Sequence, residues 1–356
     1  MKILVICRDN IGDSILATPL IAHLSAIHGA TTDVLTNSYA SPVFSHNPHI
    51  RKVHEYSKSK HCKNLISVIM AAAVRIKTIF RLRKEKYDAV IIAKSSWDSH
   101  SVKWAAGIGA KRVIAFGDEA HPLIDRLVSR AEGTLHVAER LFRLAAAVTD
   151  VPPLRRFNPG KSSVYPAPDL VKKFRMTCGV TPDERIIALQ ISARKPRQQW
   201  SAGNFITLAR LIAERYRCRM FLFWSPGDSS NPMHPGDDIK AEYITGLAAG
   251  YGLEAVPTRT LEELKAALSL CSAVVSSDGG AVHVAAALGL PVVALYGNSD
   301  PAHWHPWHVP HQTLRGSREH VNDISPEDVI RAIDPLINSS GEPGTGAWIS
   351  ASPASA

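Results

Sequence analysis

Three short segments hold residues whose types and spacing can do chemistry. The first, Arg8-Asp9-Asn10-Ile11-Gly12-Asp13, ends an apolar run (KILVIC, 2–7) and opens a helix. Gly12 permits a tight turn there, and Asp13 reads in two ways: as a cap for exposed N–H groups, or as a general base facing a ligand. The second is Ser276-Ser277-Asp278-Gly279-Gly280-Ala281-Val282-His283, also between a buried run and a helix. Two glycines let backbone approach a ligand, and a helix start offers unpaired N–H groups with a favourable dipole, as a diphosphate requires. Asp278 repels phosphate and suits sugar or ribose hydroxyls, while His283, one turn on, faces either the phosphates or the core. The third is Ser192-Ala193-Arg194-Lys195-Pro196-Arg197-Gln198-Gln199-Trp200. Its three cations either neutralise a leaving nucleoside diphosphate or form a solvated basic loop. Neither GxGxxG nor GxxxxGK[ST] stands at the first turn, which argues against a dinucleotide dehydrogenase or a P-loop enzyme.

The elements that must position these segments follow a βαβ rhythm. Strands are expected at 2–7, 32–36, 88–93 and 112–116, with helices at about 13–28, 65–84 and 136–149. After the breakers Val151-Pro152-Pro153, Asn158-Pro159-Gly160 and Tyr165-Pro166-Ala167-Pro168, the rhythm restarts. Strands then fall at 185–191, 220–224, 273–277 and 291–297, and helices at 204–217, 261–270, 281–288 and 326–337. We expect an acceptor domain at 1–155, a linker region at 156–182, a donor domain at 183–322, a terminal helix at 323–337 and a mobile tail at 338–356. The fold class is α/β, with two Rossmann-like doubly wound parallel sheets facing across a cleft. Ligands in such folds bind beyond the carboxyl ends of the strands.

With 356 residues, the chain is longer than one typical core, and its 45% hydrophobic and 21% charged content is that of a globular protein. Five cysteines, Cys7, Cys62, Cys178, Cys218 and Cys271, show no CxxC pair or metal-ligand spacing, which fits free thiols in a reducing compartment. With no signal peptide and no apolar stretch of about 20 residues, a cytosolic location is expected. Residues 1–156 carry 23 Lys/Arg against 13 Asp/Glu, whereas 157–356 carry 18 against 19. A basic first half points to an anionic partner: a nucleic acid, a phospholipid surface or a phosphorylated glycan. The stretch 68–84 (VIMAAAVRIKTIFRLRK) mixes apolar residues with Arg75, Lys77, Arg81, Arg83 and Lys84. It either packs on the sheet with solvated cations or lies on anionic headgroups.

With these segments placed, the chain resembles glycosyltransferase family 9, the lipopolysaccharide heptosyltransferases, up to about Ile337. KILVICRDNIGDSILATPLIAHL is similar to the family's first strand, Gly-Asp turn and helix. SSDGGAVHVAAALGLPVVALYGNSDPAHWHPW resembles its second signature. The resemblance implies a GT-B fold and a metal-independent, inverting transfer without a cofactor, from an ADP-heptose-like donor to a lipopolysaccharide core sugar. It implies that Asp13 takes the acceptor proton, with Arg8, Asn10 and Gly12 on the acceptor side. Asp278 would contact the donor sugar, and Gly279 and Gly280 the diphosphate, with His283 nearby.

Two departures from the family pattern stand out. Gln198 occupies the place of a lysine two residues before Trp200; Arg194, Lys195 and Arg197, in the loop that begins at Ser192, are the candidates to supply that charge, although none matches the lysine residue for residue. The acid expected after MFLFW near the ribose has only Asp228 as a candidate, ahead of an insertion-like loop. The partners implied are a nucleotide sugar, a lipopolysaccharide acceptor and peripheral contact with the cytoplasmic face of the inner membrane, without nucleic acid. The alternatives are a UDP- or GDP-sugar transferase and a non-catalytic basic nucleic-acid- or membrane-binding module. The last lacks interleaved aromatics or any nucleic-acid motif.

Overall fold

The computed structural model describes residues 1–56, 65–129, 135–148, 159–229 and 236–338. Its central strands are runs of Val, Ile, Leu, Ala and Phe buried on both faces, the signature of parallel sheet covered by helices. In the first half these are β1 (Lys2–Cys7), β2 (Thr31–Asn37), β3 (Lys52–Tyr56), β4 (Ala89–Ile92), β5 (Val113–Phe116) and β6 (Arg126–Val128). They pair in parallel in the order β3-β2-β1-β4-β5-β6. The helices of this half are α1 (Ile11–Leu16), α2 (Thr18–His28), α3 (Leu65–Lys84), α4 (Ser99–Ile108) and α5 (Val137–Ala146).

The second half repeats the winding. Strands β7 (Ile186–Gln190), β8 (Arg219–Trp224), β9 (Leu253–Pro257), β10 (Ala273–Ser277), β11 (Val292–Tyr296) and β12 (His311–Arg315) form a parallel sheet ordered β12-β11-β10-β7-β8-β9. Around it lie α6 (Pro168–Thr177), α7 (Ala202–Tyr216), α8 (Asp238–Ala248), α9 (Leu261–Leu268), α10 (Gly280–Ala287), α11 (Pro301–Trp304) and α12 (Pro326–Asn338). Each sheet is wound outward from its first strand and then back to that strand's other side. The winding therefore reverses between β1 and β4, and again between β7 and β10. Loops leaving the carboxyl ends at such a reversal diverge and open a crevice.

Some expectations need correction. The single helix expected from about residue 13 to 28 is two, α1 and α2, meeting at Ala17. Pro19 lies in the first turn of α2; lacking an N–H, it cannot continue the hydrogen-bond ladder of α1. The stretch read as a linker region contains α6, which packs on α9 of the second half. The proline-rich residues 151–158, part of the insertion-like loop (230–235) and the tail from 339 lie outside the described residues.

The halves share one apolar core running from β1 and α1 through Val164 to α10 and β11. Polar bonds stitch the same seam. The fully buried Lys265 donates to the carbonyls of Pro42 (2.7 Å) and Tyr165 (3.2 Å), Trp307 Nε1 donates to the Gly160 carbonyl (2.9 Å), and His136 Nε2 lies 3.0 Å from the His305 carbonyl.

Candidate active site

The three segments singled out by their chemistry all occupy the two reversal points. Residues Arg8–Asp13 leave β1 beside Lys94–Asp98 leaving β4; Ser192–Gln198 leave β7 beside Asp278–Gly280 leaving β10. Helices α1 and α10 pack directly on each other, so the two crevices meet at one seam.

On the first side the charges are held locally. Asn10 is the N-cap of α1 without a side-chain capping bond, and Asp13 is the third helical residue. Asp13 is thus not the N-cap, although it accepts hydrogen bonds from the backbone N–H groups of Asn10 and Asp13, the acid half of a capping box. Burial, reinforced by the charge of Asp9, pushes the half-buried Asp13 carboxyl up to about 6 against these bonds and the opposing charge of Lys94. Lys94 Nζ pairs with Asp9 Oδ1 at 2.8 Å. Arg8 bonds Asp98 Oδ2 (2.9 Å) and Tyr56 Oη (2.9 Å), and Asn37 Nδ2 holds the loop through the Asp9 carbonyl at 3.0 Å. Asn37, Lys94 and Asp98 escaped sequence reasoning because their elements are remote in sequence, and Asp9, though inside the first motif, was given no role because its partner Lys94 lies on another strand.

Gly12 has a packing role that the sequence did not reveal. It is buried, and a Cβ there would lie 2.7 Å from Cδ2 of His283. The residue permits close approach of the two halves. His283 is correspondingly buried at the seam; burial and the nearby His305 push its imidazole down to about 4, so it is neutral at pH 7. Its Nδ1 has no partner among the described residues, and its ring meets Trp304 edge to face at 6.1 Å.

On the second side charge is met by neutral donors. Asp278 is buried, and Gln198 Nε2 donates to its Oδ2 at 2.7 Å. Burial raises its carboxyl above the usual range, opposed by hydrogen bonds from Ser299 and Gln198 and by the charge of Lys195. Of the three loop cations, Arg197 pairs with Glu319 at 3.2 Å, and Lys195 acts on Asp278. All three, Arg194 included, are exposed. Gly297 seats this clasp: a Cβ there would meet the carbonyl oxygens of Arg197 (2.6 Å) and Glu319 (2.8 Å), which only glycine avoids.

Gly279, the N-cap of α10, has no side-chain capping bond, and a Cβ on it would meet no neighbour nearer than 3.8 Å. Its backbone is extended, so neither packing nor conformation demands a glycine at that position. Gly280 lies against Ile11 across the seam, where an added Cβ would stand 3.4 Å from that side chain.

Beside β7, Ser192 Oγ donates to Asp237 Oδ2 (2.7 Å) and accepts from the Ser225 N–H (2.9 Å). Asp237 therefore returns to the end of β8, where sequence alone offered Asp228; Asp228 is exposed on the preceding loop. Ser299 and Asp237 are the donor-side residues that sequence reasoning missed. Among the described residues, no group of three or more His, Cys, Asp or Glu is able to hold a metal ion.

Residues 75–333 match the family model described as glycosyltransferase family 9 (heptosyltransferase). The chain belongs to glycosyltransferase family 9. Among its curated relatives is the lipopolysaccharide heptosyltransferase 2 of Escherichia coli, 25% identical, with 95% of this chain and 99% of that protein covered. The lipooligosaccharide heptosyltransferase 2 of Haemophilus influenzae is 23% identical, with the same coverage of each chain. Among solved structures, E. coli ADP-heptose lipopolysaccharide heptosyltransferase II superposes with a TM-score of 0.72 at 22% identity, covering 96% of this chain and all of that one. An E. coli heptosyltransferase with ADP gives 0.73 at 19% identity, covering 94% and 100%. This family 9 glycosyltransferase accordingly has the GT-B fold expected of it.

Proposed function

We propose that this glycosyltransferase moves a heptose from an ADP-heptose-like donor to a sugar of the lipopolysaccharide core, with inversion at the anomeric carbon. One observation carries the mechanism: a half-buried carboxylate, Asp13, whose proton affinity is raised to about 6, on the helix that packs against the start of α10. Such a group is ionised at pH 7 yet basic enough to accept a proton as an acceptor hydroxyl attacks. In this reading the acceptor oxygen bonds to the anomeric carbon from the face opposite the diphosphate. The carbon–oxygen bond to the diphosphate breaks, the nucleoside diphosphate leaves with the electron pair, and the proton passes to Asp13.

Backbone N–H groups at Gly279 and Gly280 receive the diphosphate, and Lys195 supplies the cation that Gln198 does not. Gln198 and Ser299 instead orient Asp278, whose remaining acceptor positions take sugar hydroxyls. Asp237, steadied by Ser192, suits the ribose hydroxyls better than Asp228. Arg8 and Asn10 border the acceptor side, and His283 supports the seam rather than the phosphates. Because that acceptor is lipid-anchored, the enzyme works peripherally at the cytoplasmic face of the inner membrane. No helix among the described residues is long and apolar enough to cross a membrane.

The test is a donor panel read by nucleoside diphosphate release, with ADP-, UDP- and GDP-linked sugars and a defined core oligosaccharide. Turnover only with the ADP-heptose is expected. Preference for a UDP or GDP sugar would overturn the donor assignment while leaving the reaction class.

A further inference from the structure

Among the described side chains of α3, one narrow face packs on the protein. Thr78 and Leu82 are buried, Ile79 lies against Gly107, and the Arg75 guanidinium sits 5.0 Å from the ring centroid of Trp104 on α4. The opposite face is exposed and apolar at Met70 (62%), Val74 (51%), Ile76 (55%) and Phe80 (58%). Lys77, Arg81, Arg83 and Lys84 are exposed alongside them, and the helix contains no acidic residue.

A second exposed apolar stripe exists on α8, at Ile239, Tyr243 and Leu247. The charges beside it differ in sign: Asp238 and Glu242 are exposed, while the ammonium of Lys240 is turned inward to the carbonyls of Ile191 and Trp200. Of these two exposed apolar stripes, the one on α3 is surrounded by cations; α6 exposes Met176 beside cations, but as a single side chain rather than a stripe.

We infer that the outer face of α3 is a docking surface for an anionic lipid bilayer, with Met70, Val74 and Phe80 entering the headgroup region and Lys77, Arg81 and Lys84 meeting lipid phosphates. Long cationic side chains reach headgroups while their stems remain among apolar neighbours, which suits this alternation. The topology gives the contact a purpose. Helix α3 runs from the carboxyl edge of the first sheet to its amino edge, parallel to α4, whose N-cap Asp98 holds Arg8. A bilayer along α3 would therefore border the edge from which the Asp13 loop emerges. The inference deepens the membrane contact of the proposed function but rests on the surface of α3 alone, whatever the donor sugar.

Co-sedimentation of the full chain with vesicles of phosphatidylethanolamine and phosphatidylglycerol, against phosphatidylcholine vesicles, tests it. Wild type should bind the anionic vesicles, and added salt should weaken binding. Combined Lys77→Glu and Arg81→Glu should weaken it at least tenfold, since each cation is worth roughly fivefold near an anionic surface. Met70→Ser with Val74→Ser and Phe80→Ser should abolish it, and Ile239→Ser with Tyr243→Ser should leave it unchanged. Thermal melting and turnover of a lipid-free core acceptor confirm that each variant is folded, and that turnover separately tests the transferase reading. The inference is overturned if wild type ignores anionic vesicles or binds phosphatidylcholine equally. It is also overturned if the α3 variants bind like wild type, or if the face instead joins two copies of the chain in solution.

Discussion

The two halves share one winding and place an aspartate at the same kind of crevice, yet they treat it in opposite ways. Asp13 stands among charges: burial raises its proton affinity most and Asp9 adds to it, while backbone N–H groups and Lys94, itself paired to Asp9, only partly offset that. Asp278 is held by neutral donors, the amide of Gln198 and the hydroxyl of Ser299. Burial raises both carboxyls, but Asp13 gains further basicity from a neighbouring carboxylate, whereas Asp278 is fixed in direction by side-chain amide and hydroxyl donors, as recognition of hydroxyls requires. In the proposed mechanism the same side chain thus serves chemistry on one side and binding on the other, according to what the neighbouring loop supplies.

The sharpest way to break this contrast is to remove basicity from one side only. Asp13→Asn should lower turnover by about 10²–10⁴-fold while ADP binding, measured by calorimetry, stays within a few fold. Near-normal turnover would end the assignment of Asp13 as base. On the other side, Gln198→Ala should act mainly on binding. With its clasp lost, Asp278 should give a donor KM about tenfold higher with little change in kcat, and an equal fall in kcat alone would contradict that division.

The seam between the sides can be strained directly. Gly12→Ala forces a Cβ onto the buried ring of His283 and should cost about 1–3 kcal/mol in denaturant unfolding, as overpacking does. An unchanged midpoint would show that the two motifs do not meet as described.

Two pH effects are smaller. With Asp13 as the proposed base, whose ionised form takes the proton, kcat/KM should fall as pH drops through about 6. Asp9→Asn removes the like charge and should move that limb to lower pH; a shift upward would contradict the electrostatics. Stability responds in the opposite sense. The folded-state pKa of Asp13 is raised, so folding is favoured below the unfolded-state value near 4 and loses that advantage as pH rises through about 6. Asp13→Asn should therefore be more stable than wild type at pH 8, by roughly 1–3 kcal/mol in denaturant unfolding, and show no such gain at pH 4.

How much of this was legible in the sequence follows a physical line. Most of the eight inner strands, from KILVIC to VVALY, read clearly because burial on both faces favours apolar runs, while β2 (TTDVLTN) also buries Thr32, Asp33, Thr36 and Asn37. The four strands without a readable pattern, β3 (KVHEY), β6 (RLV), β9 (LEAVP) and β12 (HQTLR), are the four sheet edges. Edge strands carry charge and proline because one flank faces solvent, which erases the pattern. The site divides likewise. Asp13, Asp278 and the glycines stand in contiguous motifs and are read directly. Ser299, Asp237, Lys94 and Asp9 matter through partners on other strands.

The sequence alone therefore determined that two α/β halves exist, that each ends a buried strand in an aspartate-and-glycine turn, and that positive charge gathers in the first half. Those properties are local, set by periodicity, turn chemistry and composition. Only the tertiary structure decided that Gly12 yields its space to His283, that Gln198 holds Asp278, and that the cations and apolar side chains of α3 share an uncovered face. Each depends on residues brought together from distant strands or on which helix face the sheet covers, and neither is encoded in the spacing of any one segment.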